Sequence, residues 1–125
     1  GLYNRLGLAR RVNELAAQAS RSGELLACVA VGVPADAGDG ALVGSILKSM
    51  VRASDVCGVV GNGSFAVVGS TENRNGATSL ADRLRQALNA GAAAIDARVA
   101  VITTELAGGL AGDRILQQVE TAFAA

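Results

Sequence analysis

Apolar residues recur at helical spacing in LARRVNELAAQASRSG, where Leu8, Val12, Leu15 and Ala19 share a face and Gly23 supplies a stop. The next segment, ELLACVAVGV, is an unbroken apolar run, as expected of a central strand buried on both faces. Pro34 ends it, and PADAGDG reads as a short loop. ALVGSILKSMVRAS returns to helical spacing, with Leu42, Ile46 and Met50 on one stripe and Val43, Leu47 and Val51 beside it. Two short strands, DVCGVV and SFAVVGS, follow. Leu80, Leu84 and Leu88 then stack at i, i+4 and i+8 in a second packed helix that stops at Gly91. ARVAVITT reads as a strand, and a closing helix runs through Ile115, Val119 and Phe123. After the opening helix the order is β-α-β-β-α-β-α. It predicts an α+β fold with a ferredoxin-like βαββαβ core, an antiparallel-containing central sheet flanked by helices.

Composition narrows the function classes. The 125 residues are enough for one domain, expected to span 1–125. The abrupt opening at GLYNR leads to the expectation of a piece excised from a larger multidomain protein. Eleven basic and eleven acidic residues cancel, so no nucleic-acid partner is expected. No apolar run is long enough for direct membrane insertion, although the parent protein leaves room for a membrane tether outside this stretch. The expected location is the cytoplasm. The absence of histidine removes imidazole catalysis and His-ligated zinc. The two cysteines, Cys28 and Cys57, sit in Val-rich strands and read as small core hydrophobes in a reducing compartment.

VVGNGSFAVVG asks whether its glycines cradle a phosphate or turn a hairpin. A phosphate loop hands a strand to a helix N-terminus, whereas here a strand follows. Asn62-Gly63 between apolar runs is the favoured chemistry of a two-residue type I′ turn, so a hairpin is predicted.

With this hairpin in place, the chain resembles the GGDEF domain of diguanylate cyclases, which condense two GTP into cyclic di-GMP. LYNRLGLARRV is similar to the family's LTGLxNRRxF, and RASDVCGVVGNGSFAVV to RxSDxxxRxGGDEFAxL. ADRLRQAL is similar to AERLRxAL, ARVAVITT to the strand xTxSIGVA, and the last helix to ADxALYxAK. On this resemblance Gly61, Asn62, Gly63, Ser64 and Phe65 occupy the signature, with Gly63 and Ser64 where the family carries acids. The family's metal ions are held by carboxylates there and at the end of the first strand, which here reads Gly32-Val33-Pro34. The nucleotide-holding segment after that strand shrinks to PADAGDG, and Asp36 and Asp39 read as solvated turn residues. The resemblance therefore implies a degenerate GGDEF domain that is not an enzyme, with no metal and no cofactor.

One feature of the family stays in register. Arg52-Ala53-Ser54-Asp55 reads RxxD, with Asp55 six residues before Gly61, which is the spacing of the family's inhibitory site for cyclic di-GMP. An arginine donates to guanine O6 and N7 or to phosphate, and a carboxylate accepts from guanine N1 and N2. Arg83 is the candidate second arginine, with Arg85 behind it. The plainer alternative is a cation in a helix's last turn and a turn aspartate, paired on the surface at little energetic value. Two functions follow: a regulatory cyclic di-GMP receptor using Arg52, Asp55 and Arg83, or a nucleotide-independent scaffold for dimerisation or signal relay with a neighbouring domain.

Overall fold

The computed structural model describes residues 3–33, 40–51, 55–61, 63–71, 75–89, 98–103 and 111–122. Its elements are α1 (Arg5–Ser22), β1 (Leu25–Gly32), α2 (Gly40–Met50), β2 (Val56–Gly61), β3 (Ser64–Thr71), α3 (Gly76–Asn89), β4 (Arg98–Thr103) and α4 (Ala111–Ala122). The strands form a sheet in the order β2-β3-β1-β4, every neighbouring pair antiparallel. This is the ferredoxin-like arrangement expected from the order of elements: each helical crossover spans one intervening strand.

Helix α1 starts where Asn4 caps it, its side chain accepting from the Gly7 N–H at 2.9 Å. It ends where Gly23 turns left-handed at φ 70° and donates to the Ala19 carbonyl. The period-2 alternation of β1 then divides the interior in two. Leu26, Cys28 and Ala30 face α1 and α4, joining Leu8, Val12, Leu15, Leu116 and Val119 in one core. Val29, Val31 and Val33 face α2 and α3, joining Val43, Leu47, Phe65, Leu80, Leu84 and Leu88 in the other. Both cores are built from short aliphatic chains, and Phe65 is the one buried aromatic among the described residues.

The two adjacent stripes expected on α2 are buried unequally. Val43 and Leu47 are fully buried, whereas Leu42 is 47% exposed and Ile46 and Met50 are half-buried at the margin. Either stripe satisfies helical spacing, and the position of the sheet selects one. The helix ends at Met50, and Arg52, expected in its last turn, lies outside the described residues.

The outer edge of β2 is closed by the segment ahead of α1. Tyr3 forms a parallel bridge to Gly58, its N–H donating to the Cys57 carbonyl at 3.1 Å and its carbonyl accepting from Val59 N–H at 2.9 Å. A side chain at Gly58 would meet the Tyr3 carbonyl oxygen at 2.6 Å, so glycine is what admits this contact. Arg5 reaches the Val60 carbonyl and pairs with Glu120 of α4, linking helix start, strand edge and last helix. Among the described residues, no helix is long and apolar enough to cross a membrane.

Two outcomes are expected. Leu84→Ala empties a fully buried site in the second core and should cost about 2–5 kcal/mol in urea unfolding. Burial also pushes the Cys28 thiol from an ordinary 9.0 up to about 12. The unfolded chain then loses this proton near pH 9 while the folded chain keeps it. Stability should fall as pH rises from about 9 toward 12, by roughly 1.4 kcal/mol per unit for this thiol. The difference in slope between wild type and Cys28→Ala, measured by denaturant titration across that range, isolates it.

Candidate functional site

Two places in the fold carry the residues singled out in the sequence. The first is the β2–β3 hairpin. Val59 pairs with Phe65 but Gly61 with Ser64, so β2 holds one extra residue at Val60, a bulge just before the turn. Gly63 sits at φ 71° and its carbonyl accepts from the Val33 N–H at 2.8 Å, tying the turn to the end of β1. Ser64 lies opposite Gly32, and Phe65 projects into the core of the α2 and α3 face. The turn therefore has two residues, as expected, with a left-handed glycine in its second position. Asn62 lies outside the described residues, as do Asp36 and Asp39. No cluster of three or more metal-ligating residue types occurs among the described residues.

The second place is a cleft at the opposite end of the same sheet face. β1 begins and β3 ends there, and Ala27 opposite Gly69 forms the floor. The first turns of α3, through Gly76 and Leu80, make one wall. Its polar rim comes from three parts of the chain: Asp55 just ahead of β2, Ser70 and Thr71 at the end of β3, and Arg83 on α3. The cleft is half-open and small, about 30 Å³, which is room for water and not for a nucleotide ring. A nucleotide would have to lie across its mouth.

The geometry here follows from local rules. Leucines at 80, 84 and 88 turn α3 so that its apolar stripe meets the sheet, which leaves Arg83 exposed. Arg85 pairs with Asp82 at 3.1 Å and donates to the Val99 carbonyl of β4 at 3.0 Å, which holds it away from the cleft. Thr71 packs its Oγ1 against Gly76, where a side chain would collide with it. No residue in the first turn of α3 is acidic, so the positive end of that helix opens on the cleft without a carboxylate of its own.

Asp55 and Arg83, 28 positions apart, thus line one cleft, while Arg52 lies outside the described residues. Ser70, Thr71 and Gly76 were not visible as site residues in the sequence. Their signal is faint: the apolar run FAVVGST turns polar at its last positions, which reads equally well as a strand end.

No family model matches this sequence, and no curated protein does. Solved structures do. A sensory box/GGDEF family protein from Caulobacter crescentus matches with a TM-score of 0.78 at 24% identity, over 98% of this chain and 90% of that one. A DGC protein from Thermotoga maritima gives 0.79 at 18% identity, over 99% of this chain and 97% of that one. The active GGEEF domain of a diguanylate cyclase from Vibrio cholerae gives 0.68 at 17% identity, over 98% and 94%. The chain has the fold of a GGDEF domain. At these identities the likeness is one of fold. It corrects one expectation from the sequence, that the chain is not an enzyme. The structures sharing its fold include a DGC protein and the active domain of a diguanylate cyclase, so the departures of this sequence from the family's pattern do not justify placing the chain outside enzymes.

Proposed function

We propose that this GGDEF-fold domain is a regulatory receptor for cyclic di-GMP, with Asp55 and Arg83, and Arg52 from the same RxxD segment, forming the binding site. The observation that carries the reading is that Asp55 and Arg83 come from distant parts of the chain and line one cleft. A carboxylate and a guanidinium on one rim are complementary to guanine. Asp55 accepts from N1 and N2 of the base, and an arginine donates to O6 and N7 or to a phosphate oxygen. The N-terminal end of α3, with no acidic residue in its first turn, favours the phosphate side of such a ligand. Because the cleft has room only for something the size of water, most of the ligand stays on the surface, where a second protein surface can cover it.

The regulatory consequence follows from that geometry. A ligand held at a surface cleft biases any equilibrium in which the cleft is covered in one state and open in the other, by as much as its affinities for the two states differ. A second copy of this chain or a neighbouring domain is the partner of this reading.

Calorimetric titration of the purified domain with cyclic di-GMP, with GTP as control, tests the proposal. Micromolar or tighter binding is expected. Arg52→Ala, Asp55→Ala and Arg83→Ala should each weaken it roughly 10- to 100-fold, the scale of one lost base contact. Arg85→Ala, whose side chain is tied to Asp82 and β4, should leave the affinity near wild type. Full affinity in the first three variants would contradict the site, and no binding by the wild type would contradict the function.

A further inference from the structure

We propose that Gly69 is the positioning residue of the cleft, seating the Asp55 carboxylate where it shares the rim with Arg83; the inference rests on the receptor reading above. Gly69 is buried in the interior of β3, where glycine ordinarily weakens a strand. Its backbone conformation does not call for glycine, since the positive-φ glycines among the described residues are Gly23 and Gly63. Nor does crowding by the core. The three atoms nearest to a side chain built at this position all belong to Asp55. A β-carbon there would overlap Asp55 Oδ1, lie 3.0 Å from its Cγ and 3.7 Å from its Cβ. The carboxylate therefore occupies the volume that any other residue at 69 would fill.

This close approach makes Gly69 a determinant of where Asp55 points. An added methyl group meets the far end of a short side chain, which escapes by rotating about its own bonds. The strand is left intact and the carboxylate moves. The cost then falls on ligand recognition, which needs Asp55 and Arg83 to present a fixed spacing to one base, more than on folding. Removing Asp55 removes the conflict altogether, and alanine then replaces glycine in a strand with nothing in its way.

Four proteins test the inference: wild type, Gly69→Ala, Asp55→Ala and the double variant. Each is titrated calorimetrically with cyclic di-GMP and, separately, melted without ligand. Gly69→Ala should bind at least tenfold more weakly than wild type, and the double variant no more weakly than Asp55→Ala alone. In melting, Gly69→Ala should lower Tm in the wild-type background and raise it in the Asp55→Ala background. Wild-type affinity in Gly69→Ala, or the same melting shift in both backgrounds, overturns the proposal. If wild type itself takes up no cyclic di-GMP, the receptor reading fails, and the melting pair alone decides the positioning. A change of sign upholds the seating of Asp55 on Gly69, and equal shifts overturn it.

Discussion

Strand β1 is the constraint from which the rest of the structure follows. It pairs with β3 on one side and β4 on the other, and every residue after Leu25 is buried. A strand covered on both faces needs two helical layers, and its alternation assigns Leu26, Cys28 and Ala30 to one and Val29, Val31 and Val33 to the other. Its two ends then define the two places of interest. At the C-terminal end, Val33 holds the hairpin turn through Gly63; at the N-terminal end, Ala27 and Gly69 floor the cleft. Small residues on this strand and its neighbour matter as much as apolarity, because Ala27 of β1 and Gly69 of β3 at the floor leave room for polar groups above.

Much of this was legible in the chain because burial writes a period into sequence. The stacked leucines of α3, the continuous apolar run of β1 and the glycine stop at Gly23 each have a local physical cause, and each element appears in its expected order. On α2 the pattern gives two adjacent stripes without saying which lies deeper. Leu42-Ile46-Met50 and Val43-Leu47-Val51 are both helical stripes, and only the sheet's position decides between them.

The candidate site was half legible. Residue type and register single out Asp55 and Arg83 in the sequence, and the fold places both on one cleft. Gly69, Thr71 and Gly76 left almost no trace, because what they contribute is space or a contact formed only after folding. A missing side chain has no periodicity. The expectation about catalysis shows the opposite error: neutral residues at Gly63 and Ser64, a first strand ending without a carboxylate and a short following loop do not set the chain apart from a fold it shares with diguanylate cyclases.

The central claim is that ligand chemistry belongs to the Asp55–Arg83 cleft, at the far end of the sheet from the hairpin. Backbone amide chemical shifts followed by NMR during addition of cyclic di-GMP test it most directly. The account predicts perturbations concentrated at Asp55, Ser70, Thr71 and the first two turns of α3, with Gly61, Gly63 and Ser64 unmoved. Perturbations centred on the hairpin with the cleft residues silent would contradict it.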